Sequence, residues 1–100
     1  MLQTPTTLTI AIEESLATAE EKRLRTWVGD ALSIGVEQVT IELDAVARLE
    51  MPLIIALLEI LRSARKRGAE VRLATSRASI RATLCTTGLD RLFAVIELSP

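Results

Sequence analysis

Carboxylates are the side chains of this sequence best suited to acid–base chemistry, and three of them lie near one predicted strand end. Glu42 and Asp44 bracket the end of the second predicted strand, and Glu50 precedes Pro52. The carboxyl ends of parallel strands are where α/β proteins tend to bind ligands, so acid–base catalysis there is one hypothesis. Surface carboxylates are usually only solvated, however, and that interpretation is the favoured one.

Other nucleophiles and metal ligands are few. Cys85 is the single cysteine and the sequence contains no histidine, which removes the usual zinc sites and the Ser–His and Cys–His pairs. Cys85 follows Leu84 on a predicted helix, where the expected role is that of a small core residue. The four glycines are too widely separated to form a phosphate loop. We therefore expect no enzyme activity, no metal and no cofactor.

The composition is that of one globular domain. The chain has 100 residues, of which 49% are hydrophobic and 25% charged, and this length supports one compact domain over residues 1–100. Twelve basic and thirteen acidic residues leave a net charge of −1, so no basic excess suggests a nucleic-acid partner. Trp27 and Phe93, the two aromatic residues, lie among apolar neighbours and are expected in the core.

No segment predicts a membrane span or a secretion signal. The longest apolar run, Leu53–Leu58, is far shorter than the roughly 20 residues that cross a bilayer. The N-terminal residues lack the basic start and apolar stretch of a signal peptide. A single cysteine also excludes an internal disulfide. The expectation is a cytoplasmic protein without membrane insertion.

Local patterns predict strands that alternate with helices. Period-2 alternation or β-rich composition marks strands at Thr7–Ile12, Gln38–Leu43, Glu70–Ala74 and Ala94–Leu98. Helices are predicted from Thr18 to Leu32, from Pro52 or Leu53 to Arg67, from Arg77 to Thr87 with Ser76 as the cap, and briefly at Leu89–Phe93. This alternation implies right-handed crossovers. The predicted fold class is α/β, with helices packed against a small mixed, largely parallel sheet.

The second predicted helix begins with an unusually apolar stretch. Leu53–Leu58 is followed by Ile60 and Leu61, so nearly every face of its first two turns is hydrophobic. A helix that is apolar all round must be covered by its own domain or by a partner. Complete burial is difficult in so small a protein. Both burial within the fold and an exposed interface remain as interpretations.

The order of these elements and several local strings resemble the STAS domain, the module of sulphate transporters and anti-sigma-factor antagonists. The strings are Gly68–Leu73, Ser76–Leu84 and the closing turn Thr87–Phe93, and Leu16–Ala19 is similar to the approach to the family's first long helix. The resemblance covers nearly the whole chain from Thr7. It implies a STAS-like fold and a bacterial signalling protein that regulates transcription through protein–protein interaction.

The family's phosphorylation loop is altered in this sequence. Phosphorylatable members carry Asp-Ser-Ser-Gly before the helix, and an anti-sigma-factor kinase phosphorylates the second serine to switch partner binding off. The resemblance aligns Glu50, Met51, Pro52 and Leu53 with those four positions. Pro52 has no hydroxyl, so we expect no phosphorylation at that position.

The N-terminal segment also departs from the family pattern. Many relatives begin with a two-stranded hairpin, whereas one clear strand, Thr7–Ile12, is predicted here. Ser15 stands where relatives often carry an aspartate. An unpaired strand edge can template pairing with another chain, so a homodimer through this edge is a further hypothesis.

The leading hypothesis is a non-catalytic interaction module. The predicted partner-binding residues are Leu49, Glu50, Met51, Pro52, Leu53 and Ile54, which combine apolar contact area with one charge at the rim. The expected partner is a protein such as an anti-sigma-factor kinase. Alternatives are a regulatory subunit of a transporter ATPase or of a stress-signalling complex, a small-ligand-binding domain and, least favoured, an enzyme.

Overall fold

The computed structural model describes residues 6–12, 18–46 and 48–98, with the backbone alone for residues 18–21. The elements are β1 (Thr7–Ala11), α1 (Thr18–Ser33), β2 (Gln38–Glu42), α2 (Met51–Lys66), β3 (Glu70–Thr75), α3 (Ala78–Thr87), α4 (Leu89–Leu92) and β4 (Ala94–Glu97). The predicted elements are confirmed, with ends that differ by one or two residues. Ser15 and Leu16–Ala17 lie outside the described residues.

The sheet is parallel throughout its four described strands, in the order β1-β2-β3-β4. Each strand therefore neighbours the next one along the chain, and right-handed crossovers place the connecting helices on one face. The burial of alternate residues agrees, since Val39 and Ile41 are fully buried while Thr40 and Glu42 remain half-exposed. The α/β fold class is confirmed, and all carboxyl ends of the strands lie along one edge of the sheet.

The core fills the space between this sheet face and the helices. Helix α1 contributes Leu24, Val28 and Leu32, an i, i+4, i+8 stripe. Trp27 lies at the border of that stripe and is 52% exposed, with the Arg23 guanidinium carbon 5.8 Å from its ring centroid. The expectation that Trp27 is a core residue is wrong, whereas Phe93 is 3% exposed and confirms its own prediction.

The third helix differs from its predicted form in two respects. It begins at Ala78 with Arg77 as the N-cap and without a side-chain capping bond, so the expected cap by Ser76 is wrong. Only Ile80 and Leu84 of α3 are buried. Cys85 comes about 100° further round the helix and is exposed. The expectation that Cys85 is a core residue is therefore also wrong.

Two glycines give a matched test of the helix assignments. Gly88 ends α3 in the left-handed conformation, with φ of 78°, whereas Gly29 lies inside α1. No described atom crowds a Cβ at either position. We expect Gly88→Ala to lower the free energy of unfolding by about 1–2 kcal/mol and Gly29→Ala to raise it by about 0.5–1 kcal/mol. Urea denaturation measures both, and effects of the same sign would contradict the assignment.

Candidate functional site

The predicted partner-binding residues lie where the loop after β2 enters α2. Glu50 is the N-cap of α2 with an extended backbone, and Pro52 occupies the first turn, where its missing N–H breaks no helical hydrogen bond. The helix begins with the bond from the Ile54 amide to the Glu50 carbonyl, 3.1 Å long. The sequence signal of a proline at a helix start is thus confirmed.

Burial divides the six predicted residues into three groups. Leu49 and Leu53 are 9% and 2% exposed and belong to the core, so the expectation that they offer contact area to a partner is corrected for the isolated chain. Their side chains instead anchor the loop and the first helical turn. Ile54 is partly buried against the same core. Glu50, Met51 and Pro52 are exposed.

The exposed apolar surface includes a residue outside the predicted set. Met51 is 64% exposed and Ile55 47% exposed, and their i, i+4 spacing places them on one face of α2. Together with Pro52 they form what we call the α2 patch. Ile55 could have been found from the sequence by counting one helical turn from Met51. The continuous apolar run, however, does not indicate which face of the helix is buried.

A weak ion pair borders the α2 patch. The Arg48 Nε lies 3.8 Å from Glu50 Oε1, and both side chains are more than two-thirds exposed. Exposed pairs of this kind contribute about 0–1 kcal/mol at most. Arg48 and Glu50 therefore supply a hydrated charged rim and do not hold the loop in place.

Asp44 makes the most densely bonded side-chain contact near this site. Its Oδ1 accepts hydrogen bonds from Thr75 Oγ1 and from the Ser76 amide, each 2.8 Å long, and its Oδ2 accepts one from Ser76 Oγ. The bonds from the Ser76 hydroxyl and amide, followed by those from Thr75 and the charge of Arg77, hold the pKa of Asp44 below its ordinary value.

Arg77 adds backbone contacts to the same loop. Its Nη1 donates to the carbonyl of Val46 at 2.7 Å and to the carbonyl of Asp44 at 3.2 Å. Its amide donates to Thr75 Oγ1 at 3.0 Å, so the buried Thr75 hydroxyl both donates and accepts. We call Asp44, Thr75, Ser76 and Arg77 the Asp44 latch. It joins the loop after β2 to the β3–α3 junction.

The carboxylate oxygens of Asp44 accept hydrogen bonds that hold the structure together. A general base must instead take a proton from a reacting group. A base that works near neutral pH usually has a raised pKa, whereas the pKa of Asp44 is lowered. In the described part of the chain, no group of three carboxylate or thiol side chains has the geometry to hold a metal ion. Asp44 therefore holds the loop after β2 against the β3–α3 junction.

The described residues also line two open grooves away from the α2 patch. One of about 680 Å³ runs between α3 and β4, beside Ala82, Cys85 and Val95. The other, about 370 Å³, lies between α1 and β1, beside Leu8, Trp27 and Ile34. Both are open to solvent. The groove between α1 and β1 is mainly apolar, whereas the groove between α3 and β4 also carries Arg81, Asp90 and Glu97, of which Arg81 and Glu97 are paired with each other. Within the described segments, no helix has the length and apolarity to cross a membrane.

Comparison with known proteins gives the family. A model of the STAS domain matches residues 1–100. Two solved structures of the protein TM1081 from Thermotoga maritima are similar in fold. The NMR structure has a TM-score of 0.81 and 20% identity, with 91% of this chain and 74% of that chain covered. The crystal structure, described as a proposed anti-sigma factor antagonist, has a TM-score of 0.70 and 19% identity, with 95% and 76% covered.

A search of the curated proteins finds no match. Because the two TM1081 structures share so little sequence with this chain, they support the fold alone. The family model and the parallel βα topology agree with the resemblance identified in the sequence. The chain belongs to the STAS-domain family.

Proposed function

We propose that this chain is a non-catalytic protein-interaction module of the anti-sigma-factor-antagonist kind, which binds its partner through the α2 patch. The observation that carries the proposal is the exposure of Met51 and Ile55 on one face at the start of α2. Exposed apolar residues beside a polar rim are typical of protein-binding surfaces. We infer that residues 1–100 form one domain, which acts in the bacterial cytoplasm.

Phosphorylation of the loop does not switch binding through this surface on or off. Glu50, Met51, Pro52 and Leu53 stand where phosphorylatable relatives carry Asp-Ser-Ser-Gly, and none of the four has a hydroxyl. A phosphoserine would place nearly two negative charges at the centre of the patch. Pro52 instead leaves an uncharged apolar surface, so control of binding passes to the state of the partner.

Phosphate mimicry at Pro52 tests this proposal. We expect Pro52→Glu to reduce partner capture by at least about tenfold, because a carboxylate in an apolar contact must be desolvated. The thermal midpoint should change little, since the residue is exposed and the helix dipole favours an acidic residue in the first turn. Capture by the tagged protein from lysate, read by mass spectrometry, supplies the measurement.

Pro52→Ala is the matched control and should retain most of the binding. Phosphatase treatment of the purified chain should leave capture unchanged. Equal capture by Pro52→Glu and Pro52→Ala would contradict binding through the α2 patch. The class of protein recovered distinguishes an anti-sigma-factor kinase from a transporter ATPase or a stress-signalling complex.

A further inference from the structure

We propose that Asp44 is a positioning residue for the α2 patch, acting through the Asp44 latch. The loop from Leu43 to Glu50 carries the chain from the end of β2 to the first turn of α2. The latch ties the early part of this loop to the β3–α3 junction, and the buried side chain of Leu49 fixes its later part. The role of the latch in binding rests on the proposed function, whereas its effect on the loop does not.

The contacts across the latch are unusually numerous for so short a loop. Three hydrogen bonds end on the Asp44 carboxylate, and the Arg77 guanidinium donates to two loop carbonyls. Other backbone bonds of this region are those from the Leu43 amide to the Ala74 carbonyl and from the Val46 amide to the Leu43 carbonyl. Hydrogen bonds to charged groups are stronger than neutral ones. The latch is therefore the main polar restraint on the loop among the described residues.

Asp44 contributes to the latch through both its side chain and its backbone carbonyl. Its side chain accepts from Thr75 and Ser76, while its own carbonyl accepts from Arg77. Removing the carboxylate leaves the fully buried Thr75 hydroxyl and the Ser76 amide without that acceptor. The loop then samples more conformations. If the partner binds only one of these loop conformations, a smaller fraction of the protein is competent to bind. The apparent affinity for the partner then falls in proportion to that fraction.

Hydrogen–deuterium exchange of the free protein tests the effect on the loop. We expect Asp44→Ala to raise exchange across residues 44–50 by about tenfold, since bonds to a charged acceptor are lost. Asp44→Asn keeps one carbonyl oxygen and should give a smaller increase. Ser76→Asp sets a second carboxylate against Asp44, so its effect should exceed that of Ser76→Ala. Exchange in β1 and α1 should stay unchanged.

The matched control removes a charged contact elsewhere. Arg25 and Glu59 form an exposed ion pair of 2.7 Å between α1 and α2, and Glu59 lies more than two helical turns beyond the loop. Glu59→Gln should leave exchange of residues 44–50 within about twofold of the parent chain, since exposed pairs contribute little. Exchange in Asp44→Ala that equals this control, or that rises uniformly over the whole chain, would overturn the proposal.

A pH titration separates positioning by the carboxylate from a general loss of stability. Arg77 is the charged group acting on Asp44 among the described residues. The amide resonance of Ser76 should shift with a midpoint below the ordinary aspartate value of 3.8, and exchange of the loop, corrected for intrinsic rates, should rise as pH falls through that midpoint. Both pH effects should vanish in Asp44→Asn. A Ser76 resonance that titrates equally in Asp44→Asn would contradict the assignment.

Partner capture completes the test. Asp44→Ala should capture less partner than Glu59→Gln, although both keep the α2 patch. If loop exchange rises and capture does not fall, Asp44 positions the loop but the loop does not serve binding. If variants of the α2 patch themselves leave capture unchanged, the proposed function fails while the exchange result still stands. The two failures are thus distinguishable.

Discussion

Leu53→Arg should unfold the protein or lower its free energy of unfolding by at least about 4 kcal/mol, because an unpaired charge would be placed in the core. Leu53 is 2% exposed and belongs to the central hydrophobic cluster. Typical domains are stable by about 5–15 kcal/mol, so the loss is a large part of the total. Circular dichroism during urea denaturation measures it.

Leu53→Met is the control for this prediction. It conserves volume and polarity, and we expect a loss of less than about 1.5 kcal/mol. A cooperative urea transition for Leu53→Arg with the same free energy of unfolding as the parent chain would contradict the burial of Leu53. The sequence analysis placed Leu53 among the predicted partner-binding residues, and Leu53→Arg would test binding if that side chain were exposed. Its burial turns the same substitution into a test of folding.

The double variant Met51→Asp, Ile55→Asp should reduce partner affinity by at least about 100-fold, the size expected when two central apolar contacts are replaced by charges. Met51 is 64% and Ile55 47% exposed, and exposed substitutions usually change stability by about 0.5 kcal/mol or less each. An aspartate at the first position of α2 is also favoured by the helix dipole. The affinity for the partner should therefore fall while the thermal midpoint changes little.

Ile34→Asp is the matched control for the double variant. Ile34 is 83% exposed in the turn after α1. The variant therefore loses an exposed apolar side chain that lies outside the α2 patch. We expect its affinity to stay within about twofold of the parent chain, since residues outside an interface contribute little to binding energy. Equal losses in Ile34→Asp and in the double variant would point to non-specific hydrophobic capture.

Most of the fold could be predicted because its signals are local. Alternating residues mark β2, and glycines at the ends of α2 and α3 adopt the left-handed conformation that helix ends favour. Pro52 marks the start of α2 in the same way. These features depend on neighbours a few residues apart, and family resemblance added the order of the elements. The structure changed only element ends, by one or two residues.

The details of the site were harder to predict because they depend on contacts between distant segments. In the run Leu53–Leu58 every position is apolar, so hydropathy gives no phase, and packing on the sheet decides that Leu53 is buried and Ile55 exposed. The Asp44 latch joins residues 31 and 32 positions apart. No local pattern identifies such a pair. Ser76 thus resembled a helix cap although its hydroxyl bonds to Asp44.

The loop before α2 is the part of the chain that the proposed function compares with the family's phosphorylation loop. By the family resemblance, Glu50 stands where phosphorylatable members carry aspartate, and Met51 and Pro52 stand where they carry two serines. The helix still begins at this point, and the latch holds the preceding loop. The proposed function therefore has an apolar surface, with Met51 and Ile55 exposed, where the resemblance implies a polar and phosphorylatable one. This change is the physical basis for expecting binding that ignores loop phosphorylation.

Chemical-shift mapping with the captured partner tests the central claim most directly. Amide spectra of the labelled chain would be recorded with and without the purified partner. We expect the shift changes to concentrate on residues 48–55 and to extend to the β3–α3 junction through the Asp44 latch. Changes centred instead on the groove beside Trp27 and Ile34, or on the groove between α3 and β4, would contradict binding through the α2 patch.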